Sequence, residues 1–319
     1  MSSLKSKILT KFLHISTLTG GQLENEFGVS RQAVWNVINE LKQEGFNILS
    51  HPRSGYEFVD DGDVLASEII KKHLTTKNLG KDILEILKSV DSTNLHIRKI
   101  QKQTHGVVVI AEEQTTGQGR KERTFHSAKG GLYMSIMLKP NISPLKLHFL
   151  TIAAAIAVIR SLKEVCGFTA DIKWVNDIFY AGKKLCGIST DASFSAEILE
   201  LKHVVLGIGI NIQPVDITLC NHAISVKEIV GNGNFRNKLA ANLLNNLENC
   251  IENLEKSEKN ILAEYKERIF IFGKSITVFE ADKEYPAIAR DISNEGALVI
   301  EDSDGNLRSI SAAEVSIRI

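Results

Sequence analysis

The chain has 319 residues, 43% of them hydrophobic and 24% charged, which suits a soluble globular protein of two or three domains. Lys and Arg number 38 and Asp and Glu also 38, so no global field draws the chain to nucleic acid or membrane, and any such contact must come from a local surface. The longest apolar run, Ile152 to Ile159, is too short to span a bilayer, and the N-terminus MSSLKSKILTKF lacks a signal-peptide core. Cys166, Cys186, Cys220 and Cys250 match no zinc spacing, so free thiols in a cytoplasmic protein are the expectation.

In chain order, Ser6 to Ile15 carries a helical apolar pattern (Ile8, Leu9, Phe12, Leu13), and Gly20-Gly21 punctuates it. Gln22 to Phe27 predicts a short second helix ended by Gly28. Ser30 caps a third that stops near Gly45. In that third helix Val34, Val37, Ile38 and Leu41 form the apolar stripe, while Arg31, Gln32, Trp35, Asn36 and Asn39 lie on the other side. Phe46 to Leu49 and Gly55 to Val59 flank His51-Pro-Arg53-Ser as a wing hairpin. This order is that of a winged helix-turn-helix, whose last helix enters the major groove. Arg31, Gln32, Trp35, Asn36, Asn39 and Arg53 are the candidate DNA contacts. Residues 1–59 hold six Lys/Arg against five Glu, which fits weak binding by a monomer strengthened by dimerisation on two half-sites. A helical domain with no nucleic-acid role is the plainer alternative.

Asp60 to Asp63 reads as a linker. Val64 to Lys72 is helical in pattern, and Lys81 to Lys88 is either helix or strand. Asp91-Ser92-Thr93-Asn94 either caps a helix starting at Leu95 or offers donors and acceptors to a ligand. Val107 to Ile110 is a buried strand, followed by Gln114-Thr-Thr-Gly117-Gln118-Gly119-Arg120-Lys121-Glu-Arg123. Two glycines and three cations suit an anionic ligand, through backbone amides and paired guanidinium contacts; a solvated basic loop is the other reading. Gly130-Gly131 leads into a further strand. Leu145 to Cys166 reads as a core helix.

Lys173 to Tyr180 and Lys184 to Thr190 predict a hairpin around Ala181-Gly182-Lys183. Lys173, Asn176 and Asp177 beside it are costly to bury without partners. Val204 to Ile212 is another buried strand. Neither its Gly207-x-Gly209 nor the Gly117 loop is a dinucleotide fingerprint, because Ile212 and Glu122 stand where a third glycine belongs, and no Walker A sequence occurs. Residues 235–270 are amphipathic helix, and five short strands from Ser275 to Ile317 form a small β-barrel-like unit.

This order resembles the bacterial bifunctional biotin protein ligases that also repress the biotin operon. Three motifs carry the resemblance: Asp91-Ser-Thr-Asn94, Gln114-Thr-Thr-Gly-Gln-Gly-Arg120, and Lys173-Trp-Val-Asn-Asp177 with Lys184-Leu-Cys-Gly187 downstream. Gln118 and Val175 depart from the family's usual arginine and proline. The first removes a cation from the loop and the second loosens the backbone before Asn176.

The resemblance implies an α+β chain: a winged helix-turn-helix over 1–62, an α/β catalytic domain with a mixed sheet over 63–270, and an SH3-like barrel over 271–319. It implies biotin and ATP as substrates, with Mg²⁺. The acceptor would be a lysine on the biotin carboxyl carrier protein of acetyl-CoA carboxylase. Biotin operator DNA would bind an adenylate-loaded homodimer, and no membrane is involved. Lys184, Arg120 and Asp177 would be catalytic, Asp177 acting with Mg²⁺ or with the incoming amine. Ser92, Thr93, Asn94, Gln114, Gln118, Gly119, Arg120, Lys184, Gly131 and Gly187 would hold biotin. Arg120, Lys121, Arg123, Lys173, Asn176 and Asn211 would hold the nucleotide, and no protein metal cage is expected. A ligase without regulation, a transcription factor with a degenerate ligase domain, and a lipoate ligase are the alternatives.

Overall fold

The computed structural model describes residues 3–59, 63–119, 124–195, 201–216, 218, 220, 222–252, 254–280, 283–311 and 315–318. Two compact units result: residues 1–74 with 232–241, and residues 75–231 with 242–319.

In the first unit, α1 (Leu4–His14) is capped by Ser3, β1 is Thr17–Leu18, and α2 is Gly20–Phe27. The sequence pattern started α2 at Gln22. Its first turn instead includes both glycines, because Thr19 and Gln22 close a reciprocal capping box. Gly28 ends it in the left-handed region at φ +63°. The third helix, α3 (Arg31–Gln43), starts at Ser30, whose hydroxyl accepts from Ala33 N at 3.2 Å. β2 (Asn47–His51) and β3 (Gly55–Val59) form the wing, and β1 adds to β3. Ile8, Phe12, Val34, Ile38, Leu41 and Phe58 fill the core. The segment after the wing is fastened. Asn237 Oδ1 accepts from Ala66 N at 3.0 Å, and Arg236 Nε lies 3.2 Å from the Asp63 carboxylate. α4 (Ser67–His73) completes the unit.

The second unit is built on a seven-stranded mixed sheet. Its strands are β4 (Leu84–Leu87), β5 (Val108–Ala111), β6 (Leu132–Leu138), β7 (Asp171–Lys173), β8 (Asp177–Tyr180), β9 (Lys183–Phe194) and β10 (Leu201–Ile210). Their order is β4-β5-β6-β10-β9-β8-β7, with only β4–β5 parallel. Residues 81–88 therefore resolve to a strand, and β4 lies beside β5 rather than packing as a helix. The run from Lys173 to Tyr180 is not one strand: it turns at Trp174–Asn176, and β7 folds back on β8.

Two helices cover the opposite faces of this sheet. α5 (Thr93–Lys99) reaches Ser189 through Asn94, whereas α6 (His148–Ser161) reaches Thr190 through Thr151. Neighbouring strand residues point to opposite faces, so the two helices sandwich the sheet. Pro144–Cys166, which includes α6, is long and apolar enough to cross a membrane, but 72% of its 18-residue apolar window is buried in the protein, as a core helix is. α7 (Val226–Val230), which the sequence pattern did not reveal, starts at a Ser225/Glu228 capping box. α8 (Arg236–Glu252) and α9 (Leu254–Glu267) follow, and Arg160 pairs with Glu264 to tie α6 to α9. Glu248 of α8 accepts from the backbone N–H groups of Lys77, Asn78 and Leu79.

The chain closes with β11 (Ser275–Glu280), β12 (Lys283–Ile292), β13 (Leu298–Glu301), β14 (Leu307–Ile310) and β15 (Val315–Arg318). They form a five-stranded antiparallel sheet in the order β14-β13-β12-β11-β15. Trp174 Nε1 donates to Gly296 O at 3.3 Å, joining this sheet to the turn after β7.

Candidate active site and nucleic-acid face

A cavity of about 210 Å³ opens over the face of β9 and β10 that α5 covers. Three glycines flatten that face. Gly187 pairs with Gly209, and Ser189 with Gly207. A Cβ on Gly207 would lie 2.5 Å from Ser189 Oγ and 2.6 Å from Asn94 Oδ1. On Gly209 or Gly187 it would lie 2.6 or 2.9 Å from the Phe125 ring. The missing side chains are what let Asn94 and Phe125 lie close to the sheet.

One polar chain runs along the cavity. Asn94 Nδ2 donates to Ser189 Oγ at 3.0 Å, and Ser135 Oγ donates to Asn94 Oδ1 at 2.6 Å. Ser135 also lies 2.7 Å from Thr93 Oγ1. Thr93 donates to Gln114 Oε1 through its N–H (2.8 Å) and its hydroxyl (3.0 Å). Gln114 Nε2 donates to Ser127 Oγ at 2.8 Å. Ser92 occupies the N-cap position of α5 but makes no capping bond; it lines the cavity instead. Its N–H goes to Asp91, whose carboxyl is held below the usual range first by that bond and then by Lys99.

Across the cavity, Lys184 Nζ lies 2.7 Å from Asp177 Oδ1 and 5.5 Å from the Phe125 ring centroid. The turn carrying Val175 and Asn176 is not loose. Asn176 Nδ2 donates to Ile188 O at 2.7 Å, Ile188 N returns a bond to Asn176 O, and Tyr265 donates its hydroxyl to Val175 O at 2.8 Å. Lys173 lines the cavity 5.8 Å from the Phe179 ring centroid. Tyr133, which meets Phe125 edge-on at 6.4 Å, is kept neutral by burial and donates to Ala128 O.

The glycine loop is stapled at its base. Gln114 bridges Ser127, Gln118 bridges Thr124, and Phe125 N donates to Gly117 O at 2.9 Å. Arg120, Lys121 and Arg123 lie outside the described residues.

Of the expected site residues, Ser92, Thr93, Asn94, Gln114, Gln118, Gly119, Lys173, Asn176, Asp177, Lys184 and Gly187 all line this one cavity. Two do not. Gly131 makes room for the side chain of Tyr133, which a Cβ there would strike, so it is not space for a ligand ring. Asn211, buried, spends its amide on Lys184 O (3.4 Å) and Ile224 O (3.2 Å). Gly187 lines the cavity, but the space it leaves is taken by Phe125. Sequence reasoning missed Phe125, Tyr133, Ser135, Ser189, Gly207 and Gly209. Glycines at alternate positions of a buried strand were the available signal; they mark close approach of another group, and Gly207-x-Gly209 had been weighed only against a nucleotide fingerprint.

The winged unit presents a second candidate face. Arg31, Gln32, Trp35 and Asn36 are exposed along one side of α3, with Asn39 half-buried beside them. Arg53 is exposed in the wing turn. Lys42 Nζ donates to Ser50 Oγ at 2.8 Å, joining helix to wing. Among the described residues no cluster of three or more His, Cys, Asp or Glu could hold a metal ion, and all four cysteines are free.

Known proteins resemble this chain in sequence and fold. Residues 86–211 match the biotin/lipoate A/B protein ligase family, 5–57 an HTH domain, and 271–318 the biotin protein ligase C-terminal domain. The bifunctional ligase/repressor BirA of Bacillus subtilis (strain 168) is 29% identical over 330 residues, covering 99% of each chain. The biotin–[acetyl-CoA-carboxylase] ligase of Mycobacterium tuberculosis is 30% identical over 216 residues, covering 66% of this chain and 78% of that protein. The solved biotin protein ligase from Aquifex aeolicus in complex with biotin and ATP superposes with a TM-score of 0.65 at 25% identity, covering 74% of this chain and 99% of that one. The chain belongs to the biotin protein ligase family, among the members that carry a helix-turn-helix domain ahead of the ligase.

Proposed function

We propose that the chain is an ATP-dependent biotin protein ligase that also represses biotin genes with its own reaction intermediate. The observation that carries the ligase reading is the single cavity joining the Ser92-Thr93-Asn94 polar chain to the Lys184–Asp177 pair. A ureido ring needs donors and acceptors close together on an otherwise dry wall. Asn94 and Ser189 line the cavity as such a set, with the buried Ser135 hydrogen-bonded to Asn94 behind them.

In the first step an oxygen of the biotin carboxylate attacks the α-phosphorus of ATP. The bond to the bridging oxygen breaks and pyrophosphate leaves, giving biotinyl-5′-AMP. Two anions must meet, and a fixed cation offsets their repulsion. Lys184 supplies that charge, and in the free protein Asp177 holds it in place. Arg120, Lys121 and Arg123 of the loop, with Lys173, are our candidates for the phosphates, and Asn176 supports the turn between them. Gln118 and Gly119 form the near wall.

In the second step the ε-amine of a carrier-domain lysine attacks the acyl carbon. The anhydride bond breaks and AMP leaves. Asp177 is the only carboxylate among the described lining residues, so it is the base available for the proton the amine sheds. The stapled glycine loop excludes water from the mixed anhydride.

Mg²⁺ comes with the nucleotide in this reading. The described residues do not make a magnesium cage, since the one lining carboxylate is engaged by Lys184, and an ion held by phosphates and water suits that site. The winged domain (1–62) binds operator DNA as an adenylate-loaded homodimer, the catalytic domain spans 63–270, and the SH3-like domain spans 271–319. The carrier is the biotin carboxyl carrier protein of acetyl-CoA carboxylase, and the protein works in the cytoplasm.

The test is direct. Incubated with biotin, Mg-ATP and a biotin carrier domain, the protein adds the mass of one biotin to the carrier; no addition at any enzyme concentration rejects the ligase. For repression, a gel shift on the biotin operon strengthens when biotinyl-5′-AMP is added, and equal shifts with and without it reject the corepressor role. A lipoate ligase would instead load lipoate in the same mass assay.

A further inference from the structure

The reading face of α3 has a built-in chemical preference. Gln32 and Asn36 stand one helical turn apart, and Gln32 Nε2 donates to Asn36 Oδ1 at 3.0 Å. That bond fixes which end of the Asn36 amide faces along the helix. Left over at Asn36 are an Nδ2 donor and a second lone pair on Oδ1, side by side. Adenine presents the complement in the major groove: the N7 acceptor beside the N6 amino donor. Guanine presents two acceptors, N7 and O6, so Asn36 Oδ1 would face O6 with no proton between them.

Trp35 precedes Asn36 and is 52% exposed. The shallow depression it borders is otherwise lined by Asn36, Asn39, Glu40, Lys42 and Gln43, none of which covers an indole with apolar surface. Glu40, nearby, shares Lys5 with Glu44 (2.9 and 2.7 Å), so its charge is partly offset. An uncovered aromatic beside an amide pair suits one feature of a base edge, the thymine 5-methyl group.

We infer that α3 reads an A·T-containing step. Asn36, held by Gln32, takes the adenine edge, and Trp35 takes an adjacent thymine methyl. This rests on the DNA-binding reading above and adds the base pair to it.

The full-length protein, with biotin and Mg-ATP, is used to select from a random-sequence duplex pool. In the selected half-site each adenine is replaced in turn by 7-deazaadenine, which lacks the N7 acceptor, and each thymine by deoxyuridine, which lacks the methyl. We expect one adenine whose replacement weakens wild-type binding roughly three- to tenfold, as loss of one hydrogen bond does. The same replacement leaves Asn36→Ala binding unchanged. A neighbouring thymine loses about fourfold with its methyl in the wild type. Trp35→Ala does not register that loss. Unchanged thermal midpoints establish that both variants are folded.

A half-site whose sensitive positions are all G·C overturns the inference. So do A and T sensitivities that persist in both variants. Those outcomes leave DNA binding standing. A pool that yields no enriched sequence overturns the DNA-binding reading and this inference with it.

Discussion

Replacing Lys184 by methionine keeps an unbranched, flexible side chain one atom shorter and removes its charge. In the free protein the ammonium sits 2.7 Å from Asp177 Oδ1, so it is already within reach of a carboxylate. A unit charge pair at about 4 Å and an effective dielectric near 20 is worth about 4 kcal/mol. The lysine side chain is 32% exposed, and water screening lowers that to about 3 kcal/mol. The expected cost to adenylate formation is therefore roughly 10²- to 10³-fold. Part of the cost comes from Asp177, which the substitution leaves bare beside the incoming carboxylate. Adding Asp177→Asn to Lys184→Met removes that repulsion and recovers on the order of tenfold. Biotin-dependent exchange of labelled pyrophosphate into ATP reads the step alone. A Lys184→Met rate within tenfold of wild type refutes the placement of the lysine. A double variant no faster than the single one refutes the role given to the pair.

Three further outcomes follow from the geometry. Gly207→Ala drives a methyl into Asn94 and Ser189, and KM for biotin rises about tenfold or more while the fold persists; an unchanged KM removes Asn94 from the biotin site. Glu248→Ala leaves the buried Leu79 N–H unpaired and rehydrates those of Lys77 and Asn78, costing about 2–4 kcal/mol, visible as a lowered thermal midpoint. A midpoint equal to wild type would falsify the clamp. His148 is pushed below its ordinary 6.5 by burial, ahead of its other interactions. The unfolded chain then takes up a proton that the native chain resists, so stability is intact above 6.5 and falls as pH drops through that value. The gap between urea midpoints at pH 7.5 and 5.5 narrows in His148→Gln if this is right, with His105 and His203, also lowered by burial, keeping part of it; an undiminished gap assigns the pH dependence to other groups.

Local patterns were enough for most of the architecture. Ser30 before an i, i+3, i+4, i+7 stripe located α3 because capping and burial depend on neighbours in sequence. The strand at 108–111 and the core helix at 148–161 were legible for the same reason: their apolar runs exceed what a surface element carries. The segment 81–88 was ambiguous, since a short half-buried run satisfies either period until β5 is there to pair with it. The break in 173–180 was easy to pass over because Trp174, Val175 and Ile178 to Tyr180 suit a strand, and only the turn-favouring Asn176-Asp177 marked it. What bends it is tertiary: Tyr265 and Ile188 capture the backbone of the turn.

The candidate site divides in the same way. The types and order of Ser92-Thr93-Asn94, Gln118-Gly119, Lys173, Asn176-Asp177 and Lys184 are properties of the chain. They sufficed to suggest an anionic ligand and a family resemblance, and the resemblance implied acyl-adenylate chemistry. Which of them touch, and which serve only the scaffold, was decided by three-dimensional packing. Asn211 and Gly131, which the resemblance implied, lie outside the cavity lining, in contact with Lys184, Ile224 and Tyr133. Phe125 and the Gly187/Gly207/Gly209 bed are invisible one residue at a time. A bare strand face becomes a binding floor only when a side chain from a loop more than sixty residues earlier lies down on it. Chemistry resides in residue types, which the chain specifies directly. Proximity between distant segments is set by the sheet order, which no local pattern encodes.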